Sequence, residues 1–296
     1  MLKKISILIF LNLLIAETKY ISAVRINGNE YVSSTALLKL INTKNPKLFF
    51  KDIYNTRKLH LDKINLKNHY MSLGFLEADI NYELKYIDDI NIDIEFIIKE
   101  GIQYKINNID IYGNKIFSNL YIKDIIDQNT NDIFNPIKLN TSLKNIKNNY
   151  LDKGKALIDI VDEVYKKDGK INIRINISEG SSFNFGSIAL DTDENINIKH
   201  IYRELTFKTG EVYNNSQIIK SQRRLYTSNL FASVEIKKKI DKQNNLVNLL
   251  IKVRRGDSGN IIGEFGFGQT PSALGDDASP ITILQGGGKW NISKIL

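Results

Sequence analysis

The sequence predicts an α+β protein made of three tandem β-α-α-β-β modules. An alternating apolar and polar phrase that closes on glycine occurs three times, as "INIDIEFIIKEG", "INIRINISEG" and "NLVNLLIKVRRG". The closing glycines, Gly101, Gly180 and Gly256, are almost equally spaced. Self-similarity at a fixed period is typical of repeated structural units. We therefore predict modules at residues 20–101, 102–180 and 181–256.

Each predicted module opens with an alternating strand that runs into a turn, as in "ISAVRINGN" and "INNIDIYGN". Two helices follow, the first with capping residues ahead of it. The second helix aligns Tyr70, Tyr150 and Tyr226, and Gly74 and Gly154 come four residues after the first two tyrosines. Glycine can end a helix in the left-handed conformation, and a tyrosine one turn earlier faces the core. These residues are predicted to be structural, together with the closing glycines.

Two alternating segments after the second helix predict a β-hairpin in each module. In the first module these segments are "ADINYELKYI" and "INIDIEFIIK", with Asp88 and Asp89 between them. Each module would then be a three-stranded sheet with two helices over its apolar face.

Composition is that of a globular protein. The 296 residues include 42% hydrophobic and 25% charged residues, with a net charge of +8. The lysines are scattered singly, which favours a solvated surface over a nucleic-acid site, so no nucleic-acid partner is predicted. Cysteine is absent, which excludes disulfides, thiolate metal sites and a thiol nucleophile.

The N-terminus predicts a secretory signal peptide at residues 1–16. Lys3 and Lys4 precede an apolar run from Ile5 to Ile15, and Ala16 provides a small residue for cleavage. The run is shorter than the ~20 residues of an ordinary membrane span. A buried N-terminal helix is the alternative.

Together these features resemble the POTRA (polypeptide-transport-associated) domain. The first copy carries the resemblance in "YMSLGF" (residues 70–75) and in Glu100 and Gly101; the second carries it in Tyr150, Gly154, Glu179 and Gly180. The third copy, "FKTGEVYNNSQIIKSQRRLYTSNLFASVEI", is similar to the POTRA domain nearest the barrel in the Omp85 superfamily of outer-membrane protein assembly factors. In this copy Leu230 stands where the other two have glycine.

Residues 257–296 resemble the start of the Omp85 transmembrane β-barrel. The stretch is rich in glycine, and Ile261, Gly263, Phe265 and Phe267 share one face of an alternating segment, with Trp290 further on. The remaining length allows two or three spanning strands, fewer than the ~8 of the smallest closed barrels. We therefore expect an incomplete barrel start.

No enzymatic, metal or cofactor site is predicted. The phrase "GDSGN" around Ser258 is similar to that of a serine protease nucleophile, which needs a histidine base and a carboxylate nearby. Histidine occurs only at positions 60, 69 and 200. The stretch from Asp191 lacks the glycine and glutamate of a calcium loop, and "GGGKW" lacks the Ser or Thr of a phosphate loop.

The resemblance implies a binding function at the second strand of each module, which lies at the sheet edge in POTRA domains. An open edge can accept an extended client segment as an added strand. This implicates residues 78–87, 158–165 and 234–240. The candidate partner-binding residues are Asn81, Glu83, Lys85, Ile158, Ile160, Glu235, Lys237 and Lys239. Lysines in "VEIKKKIDK" equally fit edge protection against aggregation.

The implied partners are unfolded outer-membrane proteins and periplasmic accessory proteins or lipoproteins, with outer-membrane lipid contacting the C-terminal strands. The implied location is the outer membrane of a Gram-negative bacterium, with the POTRA-like region in the periplasm. Two alternatives remain open: a two-partner secretion transporter, for which three modules are one more than usual, and a periplasmic scaffold without a barrel.

Overall fold

The computed structural model describes residues 18–48, 50–194 and 196–255, and the backbone of residues 261–270 and 281–290. The predicted signal peptide, the closing Gly256 and the Ser258 phrase lie outside the described residues.

Each module has the predicted order of strand, two helices and two strands. Module 1 contains β1 (Tyr20–Asn27), α1 (Ser34–Leu40), α2 (Thr56–Ser72), β2 (Asp79–Tyr86) and β3 (Asn91–Lys99). Module 2 contains β4 (Lys105–Tyr112), α3 (Asn119–Ile126), α4 (Pro136–Leu151), β5 (Asp159–Lys167) and β6 (Lys170–Ser178). Module 3 contains β7 (Asn184–Thr192), α5 (Ile198–Glu204), α6 (Asn215–Thr227), β8 (Phe231–Asp241) and β9 (Leu246–Arg255). Strands β10 (Ile261–Thr270) and β11 (Ile281–Trp290) form an antiparallel pair.

The three sheets have one topology. Their strand orders are β1-β3-β2, β4-β6-β5 and β7-β9-β8, so the last strand of each module is central. The first strand pairs with it in parallel in all three modules, and the second strand pairs antiparallel in modules 1 and 3. The prediction of an α+β fold with three sheet modules is therefore confirmed.

Alternation along the central strands creates the core. In β3, Ile92, Ile94, Phe96 and Ile98 point to the helices and are buried with Leu66 of α2. In module 3, β9 buries Val247, Leu249, Ile251 and Val253 in the same way. Because side chains alternate between the two faces of a strand, each sheet buries one face and leaves the other polar.

The chain also divides into two compact units. The first comprises residues 1–144 and 161–176, and the second comprises residues 145–160 and 177–296. The first unit contains all of module 1 with the parallel pair of β4 and β6, and the second contains all of module 3. The division therefore passes through module 2.

A buried tyrosine and a glutamate join the second helix of module 1 to the end of its central strand. The Tyr70 hydroxyl donates to Glu100 Oε1 at 2.8 Å. The same oxygen accepts from the backbone N–H groups of Glu30 and Tyr31, each at 2.9 Å. Burial, and then Glu100, raise the pKa of Tyr70 well above its usual value. In module 2, burial and Glu179 raise the pKa of Tyr150 in the same direction.

Module 3 replaces both members of this pair, and the prediction for Tyr226 is wrong. Leu225 is fully buried at the core position, whereas the Tyr226 side chain is 63% exposed. Asn229, with φ of +58°, follows Leu225 by four residues, as Gly74 follows Tyr70. An asparagine tolerates the left-handed conformation, so the helix ends one residue earlier than the tyrosine alignment implied.

The glycine that ends α2 is also the contact point between modules 1 and 2. Gly74 has φ of +83°, and its carbonyl accepts the N–H of Tyr104 at 2.9 Å. A Cβ at Gly74 would lie 2.7 Å from Ile133 Cγ2. Beside it, Glu77 accepts from Lys166 Nζ at 2.9 Å and from the Tyr104 hydroxyl at 3.1 Å. These contacts lie within the first compact unit.

The second compact unit repeats this contact between the end of α4 and module 3. Gly154 has φ of +85°, and its carbonyl accepts the N–H of Phe183 at 2.8 Å. A Cβ there would lie 2.9 Å from Val212 Cγ1. The acidic group is Asp152, which accepts from the N–H and hydroxyl of Ser216 at 2.8 and 2.6 Å. Both helix-ending glycines therefore serve as joints.

Alanine at Gly74 should cost more stability than alanine at Gly210. Both glycines have positive φ, so each substitution carries the ~1–2 kcal/mol cost of the left-handed conformation. Nothing lies within 4 Å of a Cβ at Gly210, whereas one at Gly74 would overlap Ile133 and the Tyr104 carbonyl. Urea unfolding should show the larger loss for Gly74→Ala. Equal losses of stability in the two variants would contradict close packing of module 2 against Gly74.

Removing the Tyr70 hydroxyl should weaken module 1. Tyr70→Phe deletes a hydrogen bond to a carboxylate, an interaction of about 1.5–3 kcal/mol. The matched control is Tyr86→Phe, because the Tyr86 side chain is 60% exposed. Thermal melts should show a lower midpoint for Tyr70→Phe and an unchanged one for Tyr86→Phe. If both variants melt like the parent, then the Tyr70–Glu100 bond does not stabilise the module.

Candidate functional site

Strand β2 is an edge strand of module 1, as predicted, and β1 is the other edge strand. Strand β2 pairs with β3 on one side and lies at the end of the sheet. Asn81, Glu83 and Lys85 are exposed and alternate with Ile80, which is buried. Asn81 accepts from Lys63 Nζ of α2 at 2.8 Å. The backbone edge is therefore bordered by polar side chains.

Strand β5 lies at the edge of module 2, but one candidate residue is misplaced. Ile158 comes before the strand begins and is 4% exposed, so its side chain belongs to the core and not to the edge. Ile160 lies within β5 and is partly buried. Further along, Val161 and Tyr165 are each 50% exposed. The exposed apolar surface of this edge is thus carried by residues that lie within the predicted range 158–165 but were not named as candidates.

A groove runs beside β5 in the first compact unit. Asp162 and Val164 of β5 face Leu139, Asn140 and Leu143 of α4 across it, and Met71 and Leu76 of module 1 also line it. The groove is mostly apolar, and it lies next to the open strand edge. An added strand could therefore place alternate side chains in it.

Strand β8 forms the edge of module 3 and is basic. Glu235, Lys237 and Lys239 are all exposed. Lys237 pairs with Glu235 at 3.4 Å, and Lys238 donates to Asn215 Oδ1 of α6 at 3.0 Å. Two of the three consecutive lysines therefore have partners within the module.

A second groove lies between α6 and β8, and sequence reasoning did not find it. Ile219, Gln222, Arg223, Tyr226 and Val234 line it. Ile219 and Tyr226 are 52% and 63% exposed. Their separation of seven residues places them on one face of the helix, and two large apolar residues on an exposed face were the available signal.

The described residues contain no cluster of His, Cys, Asp or Glu able to hold a metal ion. Asp191, the start of the weak calcium phrase, instead pairs with Arg254 at 2.9 Å and Lys252 at 3.2 Å. Hydrogen bonds from these two side chains, with the Arg254 bond the larger contribution, lower the pKa of Asp191. Among the helices that the structure describes, none combines the length and hydrophobicity needed to cross a membrane.

Comparison with curated proteins finds outer-membrane protein assembly factors. The chain is 23% identical over 259 residues to BamA of Buchnera aphidicola subsp. Acyrthosiphon pisum (strain APS), covering 84% of this chain and 42% of that protein. It is 23% identical over 219 residues to BamA of Neisseria meningitidis serogroup B (strain ATCC BAA-335 / MC58), covering 70% of this chain and 27% of that protein. The chain thus spans less than half the length of these relatives.

Comparison with solved structures supports the fold. POTRA domains 3–5 of Haemophilus influenzae BamA match with a TM-score of 0.62 at 17% identity, over 81% of this chain and 97% of that chain. The family model for POTRA, described as "Surface antigen variable number repeat", matches residues 19–101, 104–180 and 184–256. These ranges cover most of the sequence, so this chain belongs to the POTRA family and is a tandem POTRA region of the Omp85 superfamily.

Proposed function

We propose that this chain is the periplasmic POTRA region of a protein that assembles β-barrel proteins into the outer membrane. It holds unfolded clients by adding their extended segments to its sheet edges. The observation that carries the proposal is the sheet order, which leaves both outer strands of each sheet with one strand neighbour, among them β2, β5 and β8; grooves lie beside β5 and β8. A main-chain ladder makes little demand on client sequence, as binding to many different barrel proteins requires.

The side chains around the edges fit this mode of binding. On β2, Glu83 and Lys85 project from the polar face of the sheet and not in the plane in which a strand adds. At Asn81, Lys63 of α2 reaches across the edge, so the proposed added strand pairs beyond that residue. A mostly apolar groove lies between β5 and α4. A second groove, with exposed Ile219 and Tyr226, lies between β8 and α6. Main-chain bonds would then supply affinity, and the grooves would favour clients with apolar side chains at every second position.

The similarity to outer-membrane protein assembly factors supports the rest of the proposed assembly. Accessory proteins or lipoproteins in the periplasm would share the exposed edges. The antiparallel pair of β10 and β11 would be the first strands of the barrel and would contact outer-membrane lipid. The proposed role is one of binding and positioning, and it requires no catalytic residue.

Proline at Glu83 should abolish client binding at the β2 edge. Glu83→Pro removes a backbone donor and cannot continue a ladder, whereas Glu83→Gln changes only the side chain. Binding of a fluorescent peptide from an unfolded barrel protein should lose the contribution of the β2 edge with proline, leaving that of β5 and β8, and should be unchanged with glutamine. The melting midpoint of each variant must match that of the parent.

A change in the peptide provides the control if Glu83→Pro unfolds module 1. Methylating alternate backbone nitrogens of the peptide removes its ladder donors and leaves the protein untouched. The methylated peptide should bind far more weakly than the parent peptide. Equal binding by both peptides, or by a folded Glu83→Pro variant, would rule out strand addition at this edge.

Neutralising the exposed lysines of β8 should promote aggregation and leave client affinity nearly unchanged. Lys237 already pairs with Glu235, and charged residues on an edge strand oppose pairing between edges. The double variant Lys237→Gln/Lys239→Gln should scatter more light on concentration and bind the same peptide as the parent does. A large loss of affinity with a flatter salt dependence would show that these lysines bind the client electrostatically.

A further inference from the structure

The N-terminal end of module 1 exposes a group of large apolar side chains. Leu48 is 90% exposed, Phe50 76%, Ile53 53% and Ile90 52%. Tyr20, at the start of β1, brings Ile53 and Ile90 together, because its N–H donates to the carbonyl of Ile90 and it forms a bridge with Ile53. Lys51, which follows Phe50, donates to Asn91, which follows Ile90, at 3.2 Å. We call Leu48, Phe50, Ile53 and Ile90, with the neighbouring Lys19 and Lys51, the N-terminal end.

The same end of modules 2 and 3 has the same backbone arrangement. In every module the first residue of the opening strand forms an antiparallel bridge with the loop before the second helix. The residue before that strand also accepts, through its carbonyl, the N–H of the residue after the bridge. The bridges join Tyr20 to Ile53, Lys105 to Ile133 and Asn184 to Val212. Ile53 is therefore the structural counterpart of Ile133 and Val212.

Both counterparts form a joint. Ile133 contacts Gly74, and Val212 contacts Gly154, so that each meets the glycine-ended helix of the preceding module. The hairpin takes part as well: the Gly169 carbonyl, which corresponds to that of Ile90, accepts the N–H of Lys105, and Gly169 lies against Ile102 of the linker. This end of the module thus serves as a docking surface twice within the chain.

The charges at the joints show what would fit the first module. Each preceding module contributes a carboxylate beside its glycine, Glu77 in one joint and Asp152 in the other. Glu77 meets the Tyr104 hydroxyl, and Lys19 occupies the place of Tyr104 in module 1, since its carbonyl accepts the N–H of Tyr54. Lys51 is also exposed here. The Lys19 ammonium donates to the Asp89 carbonyl at 3.1 Å and lies 5.1 Å from the centre of the Tyr86 ring. Its positive charge at this place is complementary to the carboxylate of an incoming module end.

We propose that the N-terminal end binds a POTRA-type module end that lies outside residues 18–255, namely a helix ended by glycine with a carboxylate beside it. Residues 1–17 of this sequence contain no glycine, so they cannot supply such an end. The third module does not supply it in a second copy either, because Asn229 and Ala232 stand where module 1 has Gly74 and Glu77. This surface is separate from the client-binding edges, so the inference does not depend on the proposed function.

A duplicated module tests the surface in the full chain. Residues 18–102 repeated ahead of Thr18 would present Gly74 and Glu77 at the spacing of the natural joint. Hydroxyl-radical footprinting with mass spectrometry should then show severalfold less oxidation of Phe50 in the original module than in the parent chain. Tyr202 of module 3, 47% exposed, provides the internal reference and should be unchanged.

The matched control carries Glu77→Lys in the added copy alone, which opposes Lys19 with a like charge and should restore oxidation of Phe50. Equal oxidation of Phe50 with and without the added module would overturn the proposal. Protection of Phe50 in the parent chain that increases with concentration would also overturn it, because a second copy would then cover the surface.

A photo-crosslinking amino acid at Phe50 of the full chain, in the cells that produce it, identifies the natural occupant. The expected adduct is a peptide at the end of a helix that closes on glycine with Asp or Glu within a few residues. Adducts with lipid, with this chain itself or with a peptide lacking that pattern would contradict the proposal, as would labelling no stronger than from a crosslinker at Tyr202. This test holds even where the duplicated protein fails to fold.

Discussion

The left-handed glycine at the end of a module's second helix is the constraint on which much of this structure depends. At Gly74 and Gly154 it ends the helix. Its carbonyl accepts the N–H of the residue just before the first strand of the next module, which is Tyr104 or Phe183. A Cβ at either glycine would clash with a β-branched side chain of the next module, because it would lie 2.7 Å from Ile133 or 2.9 Å from Val212. One conformational choice therefore fixes both where the helix ends and where the neighbouring module attaches.

The tyrosine four residues before this glycine stabilises the module from within. Its hydroxyl holds Glu100, and that carboxylate in turn satisfies two backbone N–H groups in the turn after β1. A partly buried carboxylate that loses its donors is destabilising, which is consistent with both members of the pair being absent from module 3. Module 3 shows the loss: Leu225 replaces the tyrosine, Arg255 replaces the glutamate, and Asp193 accepts the Arg255 N–H at 2.8 Å.

The same topology that buries the third strand exposes the second. The two helices carry the chain from the first strand across to the second, and the hairpin then brings the third strand back between them, parallel to the first and antiparallel to the second. In each module the second strand is therefore an edge strand of the sheet. In modules 2 and 3 the helix leaves a groove along that edge. The proposed client-binding mode follows from this geometry without any specialised reactive residue.

Sequence reasoning determined the repeat and the order of elements, because period-two alternation and glycine spacing are local properties of the chain. The second strand as the candidate edge came from the resemblance to POTRA domains. It placed Tyr226 in the core and Ile158 on the edge, and both placements were wrong. An error of one residue reverses the facing of a side chain, and only packing against the rest of the module decides it. The tyrosine–glutamate pair, the joints at Gly74 and Gly154, and the grooves join residues far apart in sequence. Only the tertiary structure could decide these, because each depends on distances between elements that no local pattern records.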